Sequence, residues 1–201
     1  MIKNIIFDIG DVLMHFTWDE YIHELFNGDT EKINAVNEAI NSTGLWIELD
    51  RNVIPAEDVF YRMRNYNKAY WNDVVMALEN AKRCFNRCDY AIPWVKSIKD
   101  KGYKVYYLSN YSHFNMSSAP EVLDFIPYMD GGIYSCDVQL LKPDMAIYEL
   151  LCKKYELVPS ECIFIDDRKE NVEAARAFGM HAVHFKSYED ADKQLQEFIN
   201  Q

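Results

Sequence analysis

Short apolar runs alternate with helical stripes over most of this chain, and one long helical stretch interrupts the alternation near its start. The first run, in NIIF at Asn4 to Phe7, predicts a buried strand that delivers Asp8 at its end, where Gly10 lets the backbone turn. The period then changes from two to three-and-four. Trp18, Tyr21, Ile22, Leu25 and Phe26 mark one helix before Gly28, and Ile33, Val36 and Ile40 mark a thinner stripe closed by Gly44. Pro55 suits the first turn of a third helix carrying Val59, Phe60 and Met63, and Trp71 to Ala81 supplies a fourth. Together these make a helical block over residues 15–90, far longer than the dozen or so residues a parallel crossover requires.

From Ala91 onward the reading is helix, strand, helix, strand. Trp94 to Lys101 predicts a helix, and KVYYL at Lys104 to Leu108 a buried strand that delivers Ser109 and Asn110. Gly131 to Ser135 reads as a strand, Asp144 to Tyr155 as a helix, and Cys162 to Ile165 as a strand delivering Asp166 and Asp167. A helix over Lys169 to Phe178 stops at Gly179, a strand follows at His181 to Phe185, and Ala191, Leu195, Phe198 and Ile199 mark a last helix. Such alternation predicts an α/β domain with a mostly parallel sheet and helices on both faces. The helical block is then an insertion after the first strand.

Composition narrows the function classes. Hydrophobic residues are 49% and charged residues 26% of 201, as in an ordinary folded protein. The net charge of −11 disfavours nucleic acid and anionic membranes as partners. With no apolar run long enough to span a bilayer and no leader-like start, a cytoplasmic protein is expected. The five cysteines include no CxxC pair, so reduced, buried thiols are expected in place of a disulfide framework or a zinc site. His181 and His184, three apart in a strand, point to opposite faces and make no metal pair. Aromatic residues occur in the helical block in proportion to its length, and core packing accounts for them.

Candidate chemistry collects at predicted strand ends: Asp8, Ser109 with Asn110, and Asp166 with Asp167, with Lys142 on a loop beside them. Three carboxylates within about 4 Å of one another at an effective dielectric near 20 repel by roughly 4 kcal/mol per pair, which a divalent cation would offset. Oxygen-only ligands favour Mg²⁺. A carboxylate can attack phosphorus to form an aspartyl-phosphate, so Asp8 is the candidate nucleophile. Ser109 and Asn110 would hydrogen-bond the phosphate, and Lys142 would balance the charge of nucleophile and phosphoryl oxygens. Asp166 and Asp167 would hold the metal against Asp8.

The strings FDIGDVL at Phe7, LSN at Leu108, LLKPD at Leu140 followed by IYELL, and FIDDRKENVEAARAFGM at Phe164 resemble, in order, the motifs of the haloacid dehalogenase superfamily of hydrolases. That resemblance implies a Rossmann-like core over residues 1–14 and 91–201 and a small α-helical cap over 15–90. It implies Asp8 as nucleophile, Ser109 and Lys142 as phosphate-site residues, Asp166 and Asp167 as metal-side acids, and Asn171 as a supporting residue.

One position departs from the family pattern. Where the family places a second Asp as general acid and base, two residues after the nucleophile, this chain has Gly10. Positioned proton transfer is worth roughly 10² to 10⁴ in rate. The Gly10 backbone carbonyl could still coordinate the metal, and Asp11 is a candidate proton donor whose other reading is a simple turn residue. Glycine at this position also resembles a subgroup that includes glucose-1-phosphate phosphatases. The expected function is therefore Mg²⁺-dependent hydrolysis of a small phosphorylated metabolite, with sugar phosphates among the candidates. The alternatives are a metal-independent dehalogenase, against which the Asp166/Asp167 pair argues, and a non-catalytic binding protein on the same scaffold. Glu48, Asp50, Arg51, Arg62 and Arg64 are the polar residues of the helical block that could meet a substrate, although each also reads as solvated surface.

Overall fold

In the computed structural model, which describes residues 1–199, the sheet has five strands in the order β5-β4-β1-β6-β7. These are β1 (Asn4–Phe7), β4 (Lys104–Ser109), β5 (Gly131–Tyr134), β6 (Cys162–Asp166) and β7 (His181–His184), and every neighbouring pair is parallel. β1 is buried along its whole length because strands pair with it on both sides and helices cover both faces of the sheet. Its alternate side chains enter two separate apolar clusters. Ile5 and Phe7 pack on one face with Trp94, Val95 and Ile98 of α6 (Ala91–Asp100) and Ala191 and Leu195 of α11 (Tyr188–Ile199). Ile6 packs on the other with Ile147 and Leu151 of α9 (Met145–Tyr155) and Val172 and Ala175 of α10 (Lys169–Phe178). The expected parallel sheet with helices on both faces is the one observed. Gly179 ends α10 with φ 101°, a left-handed conformation that suits a residue without Cβ, while the Met180 N–H bonds back to the Ala175 carbonyl.

The stretch between β1 and α6 is helical, but it opens and closes on strands. β2 (Met14–Phe16) and β3 (Phe85–Arg87) pair antiparallel as a separate two-stranded ribbon, in register Met14 to Arg87 and Phe16 to Phe85. Between them lie α1 (Trp18–Leu25), α2 (Thr30–Asn37), α3 (Leu45–Arg51), α4 (Ala56–Tyr66) and α5 (Trp71–Glu79). The stripe expected to run to Thr43 divides into α2 and a wider turn over Glu38–Ser42. Ile22, Val36, Ile40, Val59, Met63 and Val74 of this block join the same apolar cluster as Ile5 and Phe7. All five cysteines are buried and free. Among the described residues no helix is long and apolar enough to cross a membrane.

Candidate active site

Parallel register brings the predicted residues to one edge. Phe7 pairs with Tyr107 on one side and with Ile165 on the other. The next residues of β1 and β6, Asp8 and Asp166, therefore stand side by side at the carboxyl end, and the Asp8 N–H bonds the Ile165 carbonyl at 2.9 Å. Ser109 is the last residue of β4, one position further than the apolar run alone predicts.

Lys142 ties the two carboxylates together. Its Nζ lies 2.8 Å from Asp8 Oδ2 and 2.7 Å from Asp166 Oδ2, and all three side chains are buried. Burial works to lower the Lys142 pKa, but the charges of Asp166 and Asp8 and its bonds to both outweigh it and hold the ammonium above its ordinary value. Asn110 fixes the Lys142 backbone: its Oδ1 accepts from the Lys142 N–H at 2.8 Å and its Nδ2 donates to the Lys142 carbonyl at 3.0 Å. Asn110, which also lines the cavity, thus serves here to hold the lysine loop. Asn171, on the first turn of α10, donates to Asp166 Oδ1 and Oδ2 at 3.0 and 3.1 Å, and the Arg168 N–H donates to Oδ1 at 2.8 Å. Both oxygens of Asp166 are engaged.

Asp8 Oδ1 accepts from the Ile9 N–H at 2.7 Å. Burial pushes the Asp8 carboxyl up to about 7, with Lys142 acting against it and Asp166 and Asp167 reinforcing it. Asp167 is half-buried and is pushed up to about 6 by burial and by the charges of Asp166 and Asp11. Oxygens of Asp8, Asp166 and Asp167 all lie within 4.8 Å of one another. This all-oxygen set suits a hard divalent cation, whose charge would offset the mutual repulsion that adds to burial in raising both pKa values. Ser109 Oγ is buried with no hydrogen-bond partner, a donor left over for an anionic oxygen.

These residues open into a cavity of about 430 Å³, also lined by Gly10, Asp11, Asn115, Arg168 and, from the helical block, Trp46, Ile47, Asp50 and Arg51. Asp11 has φ 52°, and its Oδ1 accepts from the Phe16 N–H at 3.0 Å, so its side chain closes the turn that leads into β2. Of the other polar residues expected from the block, Glu48, Arg62 and Arg64 do not line this cavity. Two groups escape sequence reasoning. His184 Nε2 lies 2.8 Å from the Asp167 carbonyl and braces it from β7. Phe16, Trp46 and Phe85 form an aromatic wall, with centroids 5.8 Å apart for Phe16 and Trp46 and 5.3 Å for Phe16 and Phe85. Core packing therefore does not account for all aromatics of the block, because this cluster faces both core and cavity.

A family model for haloacid dehalogenase-like hydrolases matches residues 2–179. The sesquiterpene phosphatase astK of Aspergillus oryzae is 27% identical over 183 residues, 90% of this chain and 89% of that one. A D-ribitol-5-phosphate phosphatase of Bacteroides thetaiotaomicron is 24% identical over 211 residues and is matched along 100% of both chains. Among solved structures, a HAD-like family hydrolase from Porphyromonas gingivalis superposes with a TM-score of 0.78 at 21% identity, over 100% of this chain and 99% of that one. A HAD family enzyme of Bacteroides thetaiotaomicron in complex with magnesium and inorganic phosphate superposes with a TM-score of 0.71 at 19% identity, over 96% and 99%.

Proposed function

Since the chain belongs to the haloacid dehalogenase-like hydrolases, we propose that it is a Mg²⁺-dependent phosphatase that hydrolyses a small phosphorylated metabolite through an aspartyl-phosphate on Asp8. The observation that carries this reading is Lys142 held between Asp8 and Asp166, with Asp167 within metal-sharing distance of both.

In this reading Asp8, oriented by the Ile9 N–H and by Lys142, attacks phosphorus, and the ester oxygen leaves. The Lys142 ammonium offsets charge on the phosphoryl oxygens, and the unpartnered Ser109 hydroxyl donates to one of them. Asp8, Asp167 and the Gly10 carbonyl, with Asp166 behind them, would hold Mg²⁺, which supplies positive charge toward the phosphate. Asn171 and Asn110 act behind this layer, one on Asp166 and one on the Lys142 backbone. Residues 15–90 would act as a cap whose Trp46, Asp50 and Arg51 meet the substrate, while residues 1–14 and 91–201 supply the nucleophile, the lysine and the metal-side acids. The size of the cavity and its mixed apolar and polar walls support a small organic phosphate monoester, sugar and polyol phosphates included.

The test is release of inorganic phosphate from a panel of such esters with Mg²⁺. Asp8→Asn should abolish release while leaving the circular dichroism spectrum unchanged. Turnover by Asp8→Asn at the wild-type rate would refute the nucleophile, and full activity in EDTA would point to metal-independent chemistry.

A further inference from the structure

Ester cleavage needs a proton for the leaving oxygen, and Gly10 has no side chain to give it. Asp11 is engaged with the Phe16 N–H. Another carboxyl reaches the same cavity from α3. Asp50 lines it, and Asp50 Oδ1 is buried without a hydrogen-bond partner, a costly arrangement for an ionised carboxylate and a tolerable one for a carboxylic acid. Burial pushes this carboxyl up to about 7, against the opposing charge of Lys142. The other ionisable groups around it are Arg51 on the same cavity wall and the Tyr111 hydroxyl and Cys136 thiol, both held protonated by burial.

The backbone that carries Asp50 is tied to the sheet edge. Ser135 Oγ donates to the Asp50 carbonyl at 2.6 Å and itself accepts from the Tyr111 N–H at 2.9 Å. One residue past α3, Asn52 Nδ2 donates to the Cys136 carbonyl at 3.0 Å, and Gln139 Nε2 donates to the Asn52 carbonyl at 3.0 Å. Three hydrogen bonds thus fix the end of α3 against α8 (Ser135–Val138), so Asp50 has a defined position over the cavity.

We propose that Asp50 is the catalytic proton donor of this site, taking from the cap the role for which Gly10 has no side chain. The proposal rests on the phosphatase reading above. As the bond from Asp8 oxygen to phosphorus forms and the ester P–O bond breaks, the Asp50 carboxyl gives its proton to the departing oxygen, which leaves as an alcohol. The Asp50 carboxylate then takes a proton from the water that attacks phosphorus and displaces Asp8. Acid and nucleophile are both regenerated, and one water is consumed per ester.

The test compares two esters on the full chain with Mg²⁺: p-nitrophenyl phosphate, whose phenolate leaves without protonation, and glycerol 3-phosphate, whose alkoxide does not. Asp50→Asn should lower kcat on the alkyl ester by about 10² to 10⁴ and stay within about tenfold of wild type on the aryl ester. Wild type should lose alkyl turnover as pH rises above about 7, and Asp50→Asn should remove that loss. In Gly10→Asp/Asp50→Asn, alkyl turnover should recover at least about tenfold over Asp50→Asn, because a Cβ at Gly10 meets nothing within 4 Å. Equal losses on both esters, or unchanged alkyl turnover in Asp50→Asn, would overturn the assignment. Wild-type inactivity on both esters would instead overturn the phosphatase reading, and the donor with it.

Discussion

Replacing Lys142 by methionine isolates the charge at the centre of the site while nearly conserving its volume. The ammonium lies 2.8 Å from Asp8 Oδ2 and 2.7 Å from Asp166 Oδ2, with side-chain exposures of 1%, 9% and 0% for Lys142, Asp8 and Asp166. At an effective dielectric of about 20, each contact is worth roughly 6 kcal/mol of gross attraction, most of it spent on desolvating three charges. Removing one partner leaves that desolvation uncompensated, and such truncations cost about 3–5 kcal/mol. Against a total stability of about 5–15 kcal/mol, that is a large share. The pH dependence follows from the same charges. Asp8 is already pushed up to about 7 by burial, and loss of the cation raises it further. An acid whose folded pKa exceeds its unfolded value binds more protons when folded, so its contribution to stability falls as pH rises through that window. Lys142→Met should therefore be weakest at high pH. Urea unfolding in EDTA, followed by the fluorescence of the four tryptophans, of which Trp94 packs 4.7 Å from Phe7, should show a loss of about 3–5 kcal/mol at pH 8.5 and a smaller one at pH 5.5. A loss below about 1 kcal/mol at both pH values would refute the reasoning.

Other perturbations test neighbouring parts of the same picture. With Asp8 raised to about 7 and Asp167 to about 6, protons compete with metal below neutrality, so apparent Mg²⁺ affinity by calorimetry should rise from pH 5.5 to pH 8 and be flat only if these acids are not ligands. Ser109→Ala removes an unpartnered buried hydroxyl, so unfolding free energy should change little or improve while kcat/KM on a phosphate ester drops roughly tenfold, about 1.4 kcal/mol. The reverse pattern would show a structural hydroxyl. Gly132→Ala places a Cβ into the ring of Tyr107, its partner across β4 and β5, and should cost about 1–3 kcal/mol in thermal or urea unfolding, whereas an unchanged midpoint would mean that the ring moves aside freely.

Elements with strong periodicity were legible from sequence because their burial is one-sided or complete. β1 is buried on both faces and reads as an apolar run, and α10 carries a stripe that stops at Gly179. The residues of the candidate site were legible for a related reason, since Asp8, Ser109 and Asp166 each directly follow an apolar run at a strand's carboxyl end. α3 was not legible: Leu45, Trp46 and Leu49 lie three and four apart but make up a single repeat, of which only Leu49 is fully buried, and its ends are set by left-handed Gly44 and Asn52. β2 and β3 are three residues each, too short for a period of two to register. Asp50 was visible only as one polar residue among several in the block. Its place in the cavity with Lys142 arises from contacts between distant parts of the chain, such as Ser135 with the Asp50 carbonyl, which no local pattern encodes.

The pairing of Met14–Phe16 with Phe85–Arg87 places the entry and exit of the helical block side by side. A segment whose two ends meet can be lengthened, shortened or exchanged without shifting the register of β1 against β4 and β6. The edge carrying Asp8, Lys142 and Asp166 is thereby insulated from changes in the block that supplies Trp46, Asp50 and Arg51. In evolutionary terms the ribbon is a graft junction: the helical block can be exchanged at one place while Asp8, Lys142 and Asp166 keep their positions.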